Sequence, residues 1–161
     1  MQEATKAHEP LLKQLLYAQT EFTQKEIECA LEVILEAILH PGKDYQLLVC
    51  VSENNLGGYI CYGRTPMTDR SWDLYWILTH PDFRRQKIGS LLVEAMEEKI
   101  SQLGLAIVRV ETSSQEAYGA AARFYEKHGY HLACQVPDFY RAEDDLLLFF
   151  KRIEPSSTLS P

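Results

Sequence analysis

The residues best placed to do chemistry lie between Ile77 and Leu92, where Arg84, Arg85 and Lys87 crowd into a loop that turns a strand directly into a helix start. Such a loop aims backbone N–H groups and the positive end of a helix at one point, which suits an anion such as a pyrophosphate. The same residues also suit a solvated basic turn that opens an amphipathic helix. His128 and His131 stand three apart, but Gly129 breaks the helix between them and no carboxylate or cysteine completes a ligand set, so no metal is expected.

The elements around the loop follow from periodicity. Pro10 with Leu11, Leu12, Leu15 and Leu16 reads as a short amphipathic helix. Thr23 with Glu26 has the form of a capping box, and Ile27, Ala30, Leu31, Ile34, Leu35 and Ile38 then repeat at helical spacing until Pro41-Gly42. Tyr45 to Val51 and Leu56 to Gly63 read as a hairpin turned at Glu53-Asn54-Asn55, with Gly57 and Gly58 marking a bulge or close packing. A strand from Trp72 to Thr79 places Asp73, Tyr75, Ile77 and Thr79 on one face. The stripe Ile88, Leu91, Leu92, Ala95, Met96, Ile100 and Leu103 predicts the next helix, stopped by Gly104 before a strand from Ala106 to Thr112. A last helix over about Gln115 to His128 precedes strands near Tyr130 to Val136 and Leu146 to Arg152.

Helices alternating with strands predict one α/β layer architecture in a single domain over residues 1–154, with a disordered tail over 155–161. The length of 161 residues and an apolar share of 46% suit that reading. The longest apolar runs fall far short of the ~20 residues that span a bilayer, and no signal-peptide pattern opens the chain, so a cytoplasmic protein without membrane association is expected. A net charge of −7 argues against a nucleic-acid partner. Cys29, Cys50, Cys61 and Cys134 lack paired spacing and are expected as reduced, mostly buried thiols.

A second segment, Ala121-Ala122-Arg123-Phe124-Tyr125-Glu126-Lys127-His128-Gly129-Tyr130, stands in a familiar order after the first. Together the two resemble the GNAT family of N-acetyltransferases. That family's signature runs Gln or Arg, two residues, Gly, one residue, Gly or Ala, and Arg84 and Gly89 match its ends. Phe124 to Tyr130 matches the family's Phe-Tyr-Glu-Lys-x-Gly-Tyr phrase, and the resemblance covers most of the chain from Thr23 to Arg152. Two departures stand out: Lys87 replaces the inner glycine, and few residues precede Pro10, so the family's N-terminal edge strand is absent or very short.

The resemblance implies a GNAT fold, a mixed, mostly antiparallel sheet splayed at the cofactor site and flanked by helices on both faces. It implies an acetyl-CoA-dependent N-acetyltransferase in which an amine attacks the thioester directly. Pantetheine would lie along Ile77, Leu78 and Thr79, and the phosphates on Arg84, Arg85, Gln86, Lys87, Ile88, Gly89 and Ser90, with Tyr118 at the position of a pantetheine-contacting asparagine. Tyr125 takes the place of the general acid, although it shares a helical face with Tyr118, Ala121 and Ala122 as a core aromatic would. Asp73 takes the place of the base, if burial raises its pKa, and Glu111 is a second carboxylate for that role. Tyr75, Glu111 and Tyr140 are candidates for the acceptor side. The acidic segment Asp138, Glu143, Asp144 and Asp145 suits a cationic amine, small or on a protein. The oligomeric state stays open, a homodimer being one outcome, and the alternative function is a non-catalytic acyl-CoA sensor or interaction module.

Overall fold

The computed structural model describes residues 1–20, 22–52, 55–115 and 118–156. Seven strands form one sheet in the order β1-β2-β3-β4-β5-β7-β6. They are β1 (Gln2–Glu3), β2 (Gln46–Ser52), β3 (Asn55–Arg64), β4 (Ser71–Thr79), β5 (Ala106–Ser113), β6 (His131–Arg141) and β7 (Asp144–Ile153). The helices are α1 (Glu9–Tyr17), α2 (Gln24–Leu39), α3 (Ile88–Ser101) and α4 (Gly119–Lys127). Pairing is antiparallel for β1 with β2, β2 with β3, β5 with β7 and β6 with β7, and parallel for β4 with β5. A parallel pair cannot be joined by a tight turn, and the intervening α3 supplies the crossover. The chain divides into two compact units, Met1–Arg64 with Tyr75–Lys99, and Thr65–Leu74 with Ile100–Pro161.

In the first unit, α1 and α2 lay Leu12, Leu15, Leu16, Ile27, Ala30 and Ile34 against Leu47, Val49, Tyr59 and Cys61. The capping box forms as the sequence predicts: Glu26 N–H donates to Thr23 Oγ1 at 3.3 Å and Thr23 N–H to Glu26 Oε2 at 2.7 Å. Successive strand residues face opposite sides, so Gly58 points away from the Tyr59 face. A Cβ there would stand 3.1 Å from Ile88 Cγ2 and 3.2 Å from Leu92 Cδ1. The Leu78 carbonyl oxygen would be nearer still, at 2.5 Å, so the missing side chain lets both β4 and α3 approach the strand closely here. Gly57 is the extra residue of a bulge, since Cys50 pairs with Gly58 and Val51 with Leu56. Its carbonyl accepts the His80 N–H at 2.9 Å and anchors the end of β4. The turn residues Glu53 and Asn54 lie outside the described residues.

In the second unit, Ala106, Val108, Val110 and Thr112 of β5 are buried in alternation, and β5 holds an unbroken eight-pair register with β7. β6 is the outer strand, and every one of its residues is exposed. Its register with β7 jumps from Val136↔Leu146 to Arg141↔Asp144, which loops out Pro137 to Tyr140.

Several expectations are corrected. Only Cys61 is a buried thiol: Cys29 falls on the outer, glutamate-rich side of α2, Cys134 lies on the exposed edge strand, and Cys50 is half-buried. Leu91 and Leu103 leave the predicted stripe at 48% and 62% exposure, Leu103 because α3 ends at Ser101. The last helix begins at Gly119 rather than near Gln115; Glu116 and Ala117, like the tail from Ser157, lie outside the described residues. Among the described residues, no helix is long and apolar enough to cross a membrane.

Candidate active site

The basic loop of the first unit is built from short-range hydrogen bonds. A 3-10 turn at Pro81–Phe83 is capped by His80, whose Nδ1 accepts the Asp82 N–H at 3.2 Å. Phe83 N–H returns to His80 O at 2.9 Å, Arg84 N–H to Pro81 O at 3.2 Å and Gln86 N–H to Phe83 O at 3.3 Å. Arg85 and Lys87 then take left-handed backbone, with φ of 69° and 61°. Leu91 N–H donates to Lys87 O at 3.0 Å, which makes Lys87 the residue from which α3 springs. A turn with two left-handed residues ahead of a helix N-terminus leaves backbone N–H groups free to face an anion. Arg84, Arg85, Gln86 and Lys87 are exposed, Gly89 and Ser90 are half-buried, and Ile88 is buried as the anchor of the helix.

β4 pairs with β5 only over Ser71–Leu74, and the ladder stops there. From Tyr75 to Thr79, which includes Ile77, Leu78 and Thr79, the strand runs on past it. Tyr75 packs edge-on to Tyr45, with ring centroids 5.1 Å apart.

The second unit holds the candidate proton carriers. Tyr125, on α4, is buried among Phe124, Tyr130 and Phe149, with ring centroids 5.6–6.1 Å away. Burial pushes its phenol well above the ordinary tyrosine range, which favours the protonated hydroxyl. Tyr118 is the N-cap of α4 and is half-buried. Tyr140 sits in the β6 bulge against Phe139, and burial, then the charges of Glu111 and Asp144, raise its pKa.

Asp73 is buried, but its surroundings differ from those a base needs. Arg109 Nε donates to Oδ1 in an ion pair, and Thr65 Oγ1 donates to Oδ2 at 2.9 Å. Both oxygens are engaged. The acidic segment is corrected likewise. Asp144 is buried, accepting from Arg141 Nε at 3.0 Å and from Ser113, and Asp145 accepts from the Asp138 N–H at 2.9 Å, so these carboxylates tie the hairpin together. Sequence reasoning missed Arg109, the residue paired with Asp73 across the parallel ladder, because opposite charges on two strands reveal nothing until the register is known. Glu111 is exposed, with Arg109 Nη1 at 3.4 Å. Among the described residues no group of three or more His, Cys, Asp or Glu side chains could hold a metal ion.

Residues 43–132 match the acetyltransferase (GNAT) domain. The chain belongs to the GNAT acetyltransferase family. A GNAT-family protein from Desulfovibrio desulfuricans has the same fold, with a TM-score of 0.89 and 26% identity over 94% of this chain and 97% of that one. The ribosomal-protein-S18-alanine N-acetyltransferase of Escherichia coli aligns with a TM-score of 0.75 and 16% identity over 99% and 97% of the two chains. An aminoglycoside 6'-N-acetyltransferase complexed with coenzyme A aligns at 0.71 and 19% over 94% and 93%. A sequence search of curated proteins returns no match.

This GNAT chain carries Lys87 where the family signature has its inner glycine. Lys87 adopts the left-handed conformation that a glycine would adopt without strain. Lys87→Gly is therefore expected to raise stability by roughly 0.5–1 kcal/mol, the relieved strain exceeding glycine's extra unfolded-state entropy. Urea denaturation monitored by circular dichroism measures it.

Proposed function

We propose that this acetyltransferase uses acetyl-CoA as acyl donor and a primary amine as acceptor, as a cytoplasmic enzyme. The observation that carries the reading is the loop from Arg84 to Ser90, whose left-handed Lys87 opens α3 and gives the phosphates of the donor a cradle of N–H groups and cationic side chains. Ile77, Leu78 and Thr79 offer backbone to the pantetheine arm, and Tyr118 forms a wall of its channel. Acetyl-CoA supplies an activated thioester, which a neutral amine attacks directly.

The chain's own residues then have two proton tasks. Tyr125 donates its hydroxyl proton, as a hydrogen bond that strengthens while charge builds on the departing sulfur. Asp73 holds Arg109 in place, and the exposed Glu111 takes the acceptor's proton through water, with Tyr75 and Tyr140 lining the acceptor side. The nature of the acceptor, small molecule or protein amino group, is read by a panel of amines and peptides. A second copy of the chain would pair along the exposed edge of β6.

Calorimetric titration of acetyl-CoA tests the reading. One saturable site is expected, and Gly89→Glu, which puts a carboxylate where the phosphates would lie, should weaken it at least ~100-fold. A glutamate in the first helical turn favours the helix itself, so the loss will not reflect unfolding. Binding without turnover on any amine would favour an acyl-CoA sensor, and no binding at high donor concentration would end the enzyme reading.

A further inference from the structure

Gln19, just past the end of α1, is a buried amide outside every motif in the sequence, with only 4% of its surface exposed. Its Nε2 donates to the Leu15 carbonyl at 3.1 Å, an acceptor that the ending helix leaves without an intrahelical donor. That bond fixes the orientation of the amide, because a flipped group would set oxygen against oxygen. The Oε1 is thereby committed to the other side, where Arg84 Nη2 donates to it at 3.3 Å.

Arg84 is the first residue of the phosphate-loop signature, and its side chain reaches across sixty-five positions of sequence to α1. The loop needs a fixed reference. Arg85 and Lys87 both occupy left-handed backbone, which persists in residues with a Cβ only where the surroundings hold it. Between the loop and α1 lies a groove of about 290 Å³, with Leu11 and Gln14 of the helix facing His80, Asp82 and Phe83.

We infer that Gln19 is a positioning residue, which acts through Arg84 to hold the phosphate loop in its anion-binding conformation before the donor arrives. The inference rests on the acetyl-CoA reading only for what the loop binds. The tether itself is a property of the chain alone.

Two substitutions separate this role from a merely structural one. Gln19→Met fills the same space and removes both bonds, whereas Gln19→Glu keeps a charged acceptor for Arg84 and trades the donation to the Leu15 carbonyl for an oxygen–oxygen contact there. Hydrogen exchange of the amides from Arg85 to Ser90, measured without donor, is expected to speed up about tenfold in Gln19→Met and to stay near wild type in Gln19→Glu. Acetyl-CoA affinity should follow the same order, with a loss of about tenfold in Gln19→Met alone. Arg84→Met, at an exposed position, should reproduce the faster exchange, and the double variant should exchange no faster than either single one. Equal behaviour of Gln19→Met and Gln19→Glu, unchanged exchange in Gln19→Met, or additive effects in the double variant would each overturn the tether. Should the wild-type protein bind no acetyl-CoA, the enzyme reading fails, and the exchange comparison still decides the tether.

Discussion

Replacing Tyr125 by phenylalanine is expected to lower kcat for acetyl transfer by roughly 10²-fold, the smaller end of what a positioned general acid contributes. KM for acetyl-CoA should change little, because the hydroxyl matters only as negative charge develops on the sulfur, and an interaction made only in the transition state lowers kcat and kcat/KM together. Stability should change by less than about 1 kcal/mol, since the ring remains packed on Phe124, Tyr130 and Phe149 and loses one oxygen. Initial rates of thiol release with an accepted amine, paired with thermal melts, separate these quantities. Burial also removes an alkaline limb from the rate profile: a phenol held well above 10.0 does not ionise in the working range. An unchanged kcat in Tyr125→Phe would leave Tyr125 as a core aromatic.

The second large effect concerns stability at high pH. Burial pushes the Cys61 thiol from the ordinary 9.0 up to about 12. The sign follows from counting protons. Above pH 9.0 the unfolded chain loses this proton while the folded protein keeps it, so the unfolded state binds fewer protons and stability falls as pH rises, until the folded thiol ionises near 12. The slope is about 1.4 kcal/mol per pH unit per group. Cys61 alone thus removes about 2 kcal/mol between pH 9 and 11, because its slope is only half developed at pH 9. Tyr59, Tyr62 and Tyr125, each raised by burial above the ordinary 10.0, steepen the fall in the last unit. All four shifts have the same sign, so stability is expected to fall steadily from pH 9 to 11. Urea midpoints collected from pH 8 to 11 measure the slope. Cys61→Ala should flatten it between pH 9 and 10, where the tyrosines do not yet contribute, and an unaltered slope would show that the buried thiol is not its source.

Much of this protein is written locally. The capping box at Thr23, the core stripe of α2, the strand-loop-helix turn at Arg84 and the family phrase from Phe124 to Tyr130 each depend on residues within a few positions of one another, and each forms as the sequence predicts. Burial alternates along β5, as a strand's own geometry requires, whereas β3 is buried on both faces and shows no such period. The membership of the GNAT family was legible for the same reason, since its motifs are short and contiguous.

What the sequence could not decide is what meets across the chain. Asp73 reads as a free carboxylate until the parallel register sets it beside Arg109, and Asp144 reads as part of a solvated acidic run until the hairpin turns it inward onto Arg141 and Ser113. Gln19 carries no local signal at all, because its two bonds are made by the end of a helix and by a guanidinium sixty-five residues away. The glycine rule was only half the information: Lys87 takes the left-handed conformation despite its Cβ, next to a helix start whose Ile88 and Leu92 lie close to Gly58. Propensity and pattern act within one element, whereas ion pairs and buried amides are set by contacts that exist only once the elements have packed.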